Sequence, residues 1–255
     1  MVAEKKSIYS RPDIYDIHFT GKMRELLRKH YEAIFEGKEV KTIHDCSYGT
    51  GNLTSELARM GYTVSGSDIS EEMLKQAEEK NKVENLKIEL KQSDFRNLTS
   101  NISGQFDCVM STGNSLAHVP NDDVKKTLNQ MAQLIKKGGY IYIDTRNWDR
   151  ILNSKKRFIY YPPYFRDDER INVMQVWDFN LDNTMTFNLL YSFEREQRIF
   201  KHEEFNVSYY PLKKELLVNE LLNLGFEDIE VINFIHHKIK DFNEMEWYVV
   251  LAKKK

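Results

Sequence analysis

Between residues 40 and 146 the chain alternates short apolar runs with amphipathic stretches. "VKTIHDCS", "YTVSGSDI", "LKIELKQSD", "FDCVMST" and "YIYIDTR" read as strands. "MRELLRKHYEAIF", "NLTSELARM", "SEEMLKQAEEKN" and "DDVKKTLNQMAQLIKK" read as helices. Ser70, followed by Glu71 and Glu72, is a cap with acids in the first turn. Gly61 is a stop for one helix, and Gly138 with Gly139 is a stop for another. Strand–helix alternation of this kind implies a parallel sheet covered by helices on both faces.

The pattern changes after residue 146. "RFIYYPP", "INVMQVWDFN", "TMTFNLLYSFERE" and "FKHEEFNVSYYP" are aromatic, β-branched and separated by turn residues. They predict an antiparallel excursion over residues 147–210. A helix, "KKELLVNELLNLGF", and two strands, "EDIEVINFI" and "EWYVVLAKK", then return to the main sheet. The expected organisation is a main domain of residues 1–146 and 211–255, with residues 147–210 as a lid.

Bulk properties narrow the function classes. Lys plus Arg is 37 and Asp plus Glu 39, a net charge of −2, which gives no electrostatic case for nucleic acid or an anionic membrane. No apolar run suits a signal peptide or a membrane span, so a cytoplasmic protein is expected. The two cysteines, Cys46 and Cys108, lie in strand-like runs and are expected as reduced, buried thiols. No metal-ligand cluster is evident.

The chemistry concentrates in "IHDCSYGTGNLTSELARMGYTVSGSDIS". A strand, a glycine turn and a helix place free N–H groups where a ligand can approach Gly49 and Gly51. Asp68 falls at the end of the next strand, where a carboxylate accepts both ribose hydroxyls. A nicotinamide cofactor needs a third glycine, and Asn52, Leu53 and Thr54 supply none. Asp45 before the turn disfavours a pyrophosphate and suits a ligand with an ammonium group. An adenosine moiety joined to an amino acid fits both acids.

"DCSYGTGN" followed by "SGSDIS" resembles class I S-adenosylmethionine-dependent methyltransferases. "STGNSLAHVP", "IDTRNWDRIL" and "VSYYP" make the chain most similar to the glycine/sarcosine N-methyltransferase family. The resemblance implies an α/β Rossmann-like fold with a seven-stranded, mostly parallel sheet of order 3-2-1-4-5-7-6. It also implies an antiparallel β lid after the fifth strand. S-adenosyl-L-methionine is then the cofactor, and the acceptor is the amine of a small molecule, in the first place glycine or sarcosine. The resemblance leaves room for a homo-oligomer.

Site roles follow from the same resemblance. Gly49, Thr50 and Gly51 line the methionine part of the cofactor and Asp68 takes the ribose. Ile69 and Met73 flank the adenine, Asp94 meets its amino group and Phe95 lies beside the ring. Thr112 and Gly113 stand next to the sulfonium. Tyr15 covers the cofactor from the N-terminal arm, and Lys22 or Arg24 reaches its carboxylate. Asn114 and His118 approach the methyl acceptor, and Arg146 holds an amino-acid carboxylate as a bidentate pair. Tyr161 and Tyr210 face the active site, with Tyr160 and Tyr209 as register alternatives.

Ser47 and Tyr48 depart from the small residues usual at their positions, and Asp94-Phe95 stands where relatives tend to carry an amide and a tryptophan. "YPPYF" resembles a motif of nucleic-acid amino methyltransferases, but it falls in the lid and reads as a turn with edge prolines. An amino-sugar or secondary-metabolite methyltransferase, a nucleic-acid methyltransferase and a non-catalytic cofactor-binding module are the competing readings.

Overall fold

The computed structural model describes residues 7–255. An N-terminal arm passes through α1 (Pro12–Tyr15) into α2 (Gly21–Phe35), which is capped by Thr20 accepting the Met23 N–H at 3.4 Å. The chain then alternates through β1 (Thr42–Asp45), α3 (Ser55–Arg59), β2 (Thr63–Asp68), α4 (Glu71–Val83) and β3 (Glu89–Gln92). It continues through β4 (Phe106–Ser111), α5 (Asn121–Leu134), β5 (Ile135–Arg146) and α6 (Trp148–Ser154). The lid strands are β6 (Phe158–Tyr160), β7 (Tyr164–Arg166), β8 (Glu169–Phe179), β9 (Met185–Arg195) and β10 (Arg198–Tyr209). Helix α7 (Lys214–Asn223), β11 (Phe226–Asn233) and β12 (Trp247–Lys254) complete the fold.

The seven-stranded sheet has the order β11-β12-β5-β4-β1-β2-β3. Strands β1 to β5 pair in parallel, and β12 lies antiparallel to both β5 and β11. This is the expected 3-2-1-4-5-7-6 arrangement. A second, antiparallel sheet runs β10-β9-β8-β6, with β7 also on β8.

The central strands are buried on both faces, as their unbroken apolar runs require. On β4, Cys108 and Met110 pack with Leu27, Tyr31 and Ile34 of α2, while Val109 packs toward α5 on the other side. The second cluster continues without a break into the lid through Trp148, Trp177, Phe187 and Phe205. The lid therefore shares its core with the main sheet.

Three local expectations need correction. Helix α5 ends at Leu134, ahead of Gly138 and Gly139, because Ile135 already pairs with Phe106. The glycines belong to a register shift inside β5, where a Cβ on Gly139 would lie 2.7 Å from the Asp107 carbonyl oxygen. "YPPYF" is more than a turn, since Tyr164–Arg166 forms β7 against β8. Residues 148–154, expected within a strand-rich stretch, form α6, capped by Asn147 accepting the Arg150 N–H at 3.0 Å.

Tyr48, an unusual residue for its position, is accommodated by glycine elsewhere. Its ring is buried and its hydroxyl shares a hydrogen bond with Ser55 at 2.8 Å. A Cβ on Gly66 of β2 would lie 2.4 Å from that ring, and one on Gly51 2.7 Å from it. The two glycines create the slot that the tyrosine fills. Gly66→Ala is expected to destabilise the fold by about 1–3 kcal/mol, read as a lower urea midpoint. A midpoint equal to wild type would show that the ring moves aside freely.

Candidate active site

The elbow after β1 is held by carboxylates. Asp45 is fully buried and accepts hydrogen bonds from the Ser47 N–H at 2.9 Å, the Thr112 hydroxyl at 2.8 Å and the Thr54 hydroxyl. It staples β1, the elbow and the end of β4 together. Burial pushes its pKa up, and the donors around it pull the other way. Asp45 does not line the cavity, which overturns the reading that it faces a ligand ammonium group.

Asp68 ends β2 half-buried, accepting the Gly49 N–H at 2.8 Å and the Ser70 N–H at 2.9 Å. Burial raises its pKa, opposed by those backbone donors. The carboxylate thus fixes the glycine turn and borders the open space beyond it.

That space is a cavity of about 550 Å³ at the carboxyl ends of the parallel strands. Small-molecule sites span roughly 300–1,000 Å³, and open α/β sheets bind ligands at this end. Gly49, Thr50, Asp68, Ile69, Met73, Asp94, Phe95 and Thr112 line it, with Tyr15 from the arm and His118 from the loop after β4. Ile69 is 62% exposed, a large apolar side chain presented to the cavity. Asp94 caps its own turn through the Arg96 N–H at 2.9 Å and binds the Arg96 guanidinium, which holds its pKa below the usual range. Apolar walls and a ribose-height carboxylate suit an adenosine group. No cluster of three or more metal-binding side chains occurs among the described residues.

Two expected cofactor residues are elsewhere. Lys22 is exposed on α2 and lines no part of this cavity. Gly51 is turned away as well, and its positive φ of 78° and tight packing serve the Tyr48 slot. Arg24 is engaged with Glu84 at 3.0 Å. Sequence reasoning missed Tyr9 and Phe19, arm residues that line the cavity. The arm is tied down by Asp16, which accepts from Thr50 at 2.7 Å and Asn52 at 2.6 Å and pairs with Lys80 at 2.5 Å.

A second chamber lies at the end of β5. The Arg146 guanidinium sits 4.9 Å from the Trp247 ring centroid, 5.5 Å from Phe187 and 5.6 Å from Trp177. Register explains the grouping: Trp247 pairs with Arg146, and Trp177 with Phe187. Among the described residues no ion pair reaches the guanidinium. Aromatic faces hold a cation in place without consuming its hydrogen-bond donors.

Asn114 braces this chamber. It is buried, with a left-handed φ of 62°. Its Oδ1 accepts from the Arg146 N–H at 3.1 Å, the Thr145 hydroxyl at 2.9 Å and the Trp148 indole at 3.0 Å. Its Nδ2 has no partner among the described residues. A buried amide nitrogen left open in this way is costly unless a ligand takes it.

The tyrosine registers differ from each other. Tyr161 faces inward, 5.8 Å from the His18 ring, whereas Tyr160 is 73% exposed. Tyr209, not Tyr210, joins the site, with its ring 4.7 Å from both His118 and Phe187. Burial raises the Tyr209 pKa and the Arg146 charge opposes the rise. Tyr210, just past the end of β10, donates its backbone N–H to the Ala117 carbonyl at 2.7 Å. The His118 Nε2 meets the Tyr9 hydroxyl at 2.8 Å, and burial lowers the ring to about 4, a hydrogen bond to the Ser208 backbone resisting.

Asp144 links the two chambers. Its Oδ1 accepts the Gly113 N–H at 2.9 Å and the Trp247 indole at 2.8 Å, and its Oδ2 has no partner among the described residues. Burial lifts its pKa to about 7. A carboxyl raised on folding is neutral at no cost below its unfolded pKa. It subtracts stability progressively as pH rises from there through 7. Asp144→Asn, which keeps an acceptor oxygen for both donors, should lose less stability than wild type between pH 5 and 8. Denaturant midpoints at the two pH values measure this, and parallel losses in both proteins would refute it.

Comparison with known proteins agrees with this geometry. A methyltransferase domain model matches residues 43–139. The chain is 29% identical over 248 residues to a glycine/sarcosine N-methyltransferase from Aphanothece halophytica, covering 92% of this chain and 88% of that protein. Its fold superposes on an S-adenosylmethionine-dependent methyltransferase from Clostridium acetobutylicum with TM-score 0.75 and 20% identity, covering 96% of this chain and 97% of the other. It also superposes on an amino pentose methyltransferase from Micromonospora echinaspora with TM-score 0.73 and 10% identity, covering 99% of each. The described residues include no helix long and apolar enough to cross a membrane. Residues 43–139 thus match a methyltransferase domain, the chain has the fold of S-adenosylmethionine-dependent methyltransferases, and along most of its length it is similar to a glycine/sarcosine N-methyltransferase.

Proposed function

We propose that the protein N-methylates a small amino acid, glycine or sarcosine in the first place. One observation carries this reading: Arg146 is a half-buried cation braced by three aromatic rings, with no acid paired to it among the described residues. An acceptor carboxylate supplies the missing charge through two parallel N–H···O bonds. The free Asn114 Nδ2 offers a further donor beside it.

S-adenosylmethionine, when bound, supplies the methyl group on its sulfonium. Asp68 and the Gly49 turn would hold the ribose, and Ile69, Met73 and Phe95 would enclose the adenine. Arg146, Asn114 and Tyr209 orient the acceptor so that its nitrogen points toward the Thr112–Gly113 end of the cavity. Catalysis by this chain is then mainly positioning. We place the reaction in the cytoplasm, in keeping with two buried, unpaired cysteines.

The likeness to an amino pentose methyltransferase favours a second reading, methylation of an amino sugar. Such an acceptor lacks a carboxylate and leaves Arg146 unneutralised. Labelled cofactor offered with glycine, sarcosine, dimethylglycine, an amino sugar or a short RNA tests the choice. Transfer to an amino acid alone supports the first reading; transfer only to the sugar or the RNA overturns it.

A further inference from the structure

Asp144 lies two residues before Arg146 on β5, so the two side chains share a face of the sheet. Its strand runs between β4 and β12. One carboxylate oxygen, Oδ1, bonds to both neighbours. It accepts the Gly113 N–H, just past the end of β4, at 2.9 Å and the Trp247 indole of β12 at 2.8 Å. Gly113 lines the cofactor cavity, and Trp247 is the ring nearest the Arg146 guanidinium. A corner of one chamber and a wall of the other are therefore held by a single atom.

The corner needs holding. Gly113 and Asn114 have φ of 73° and 62°, two left-handed residues in succession, the second of them not a glycine. Backbone of that kind persists where its surroundings fix it. Asp144 fixes it twice, through Oδ1 on the Gly113 N–H and through its own carbonyl on the Asn114 N–H at 3.3 Å. The Asn114 side chain in turn accepts the Arg146 N–H at 3.1 Å.

We propose that Asp144 is a positioning residue for the transfer: by holding Gly113 and Trp247 on one oxygen, it sets the methyl donor's corner against the acceptor's wall. This rests on the amino-acid reading above, which puts the acceptor beside Arg146. The reacting nitrogen must lie in line with the S–CH₃ bond, and a misplacement of about 1 Å costs about 10²-fold in rate. Donor and acceptor occupy different chambers, so their alignment depends on what joins the chambers. The joint also transmits occupancy. A ligand that moves Gly113 moves the oxygen it shares with Trp247, so filling the cofactor cavity is felt at an indole that lines no part of it.

The test uses the full chain, labelled cofactor and glycine, with Asp144→Leu, Asp144→Asn and Trp247→Phe beside wild type. Asp144→Leu removes both bonds and should lower kcat about 10²-fold. Asp144→Asn keeps an oxygen for both donors and should recover most of that loss. Trp247→Phe keeps a ring beside Arg146 and removes only the N–H. Its kcat should fall about 10-fold, more than the glycine KM rises, with calorimetric affinity for S-adenosylmethionine near wild type. A purely structural role would not move one further readout, the Trp247 indole N–H resonance. It is one of three such signals in the chain and is assigned by its absence from Trp247→Phe. Titration with S-adenosylhomocysteine, the demethylated cofactor, should shift it in wild type, and Asp144→Leu should abolish the shift.

A wild-type resonance indifferent to the nucleoside overturns the role of Asp144 alone. So does a wild-type kcat in Trp247→Phe, or an equal loss of kcat in Asp144→Leu and Asp144→Asn. If Asp144→Leu does not fold, Trp247→Phe and the wild-type resonance decide the matter. A wild-type chain that methylates an amino sugar and no amino acid overturns this inference together with the reading beneath it.

Discussion

Arg146→Ala raises the KM for an amino-acid acceptor by about 10²–10³ while cofactor affinity stays near wild type. Truncating one member of a buried, hydrogen-bonded charge pair costs ~2–5 kcal/mol, much of it from stranding the remaining charge. The stranded group here is the acceptor carboxylate, facing Trp177, Phe187 and Trp247 with no cation. The cofactor cavity is bounded by other residues, so its binding is insulated from the change. Arg146→Lys recovers only part of the loss, because a point charge cannot form the bidentate fork. Steady-state kinetics with varied glycine, beside cofactor calorimetry, separate the effects. An unaltered glycine KM in Arg146→Ala would remove the carboxylate anchor.

Asp68→Ala has the converse signature: cofactor affinity falls by about 10²-fold. Two losses combine. The ribose hydroxyls lose a charged acceptor, worth ~1.5–3 kcal/mol. The Gly49 and Ser70 N–H groups lose the oxygens that fix the turn. Asp68→Asn keeps one acceptor oxygen and should fall between. Calorimetric titration with S-adenosylmethionine measures both, and an affinity equal to wild type in the alanine variant would dismiss the ribose assignment.

Much of the fold was legible because its strands and helices alternate at distinct periods. The seven-strand order followed from the family resemblance, and the lid from the aromatic run after residue 146. The misread details share a cause: patterns along the chain do not report what lies across from a residue. Gly138 and Gly139 look like a helix stop, yet Phe106 of the neighbouring strand pairs at Ile135 and draws them into β5. Asp45 looks like a ligand for an ammonium group because its partners, Thr54 and Thr112, are 9 and 67 positions away. Gly51 resembles a cofactor glycine, but its freedom serves the Tyr48 ring.

The site was legible where one element carries it. Asp68, Ile69 and Met73 lie along one strand–turn–helix path, from β2 into α4, and reach one cavity. The tyrosines depended on strand register, and a one-residue ambiguity exchanged Tyr209 for Tyr210. Trp247 was silent, since its place beside Arg146 arises from the pairing of β12 with β5. Trp247 pairing directly with Arg146 is a fact of sheet topology that no local motif encodes.

The arm that walls the cavity is seated by Ile8 and Ile14, exposed 3% and 0%. Drawing two such side chains out of the core costs roughly 3–6 kcal/mol. If both must leave for the arm to swing clear, the open form occupies only about one molecule in 10²–10⁴ at any instant. Spent nucleoside would then wait on that rare excursion, and release of the arm would set the rhythm of turnover.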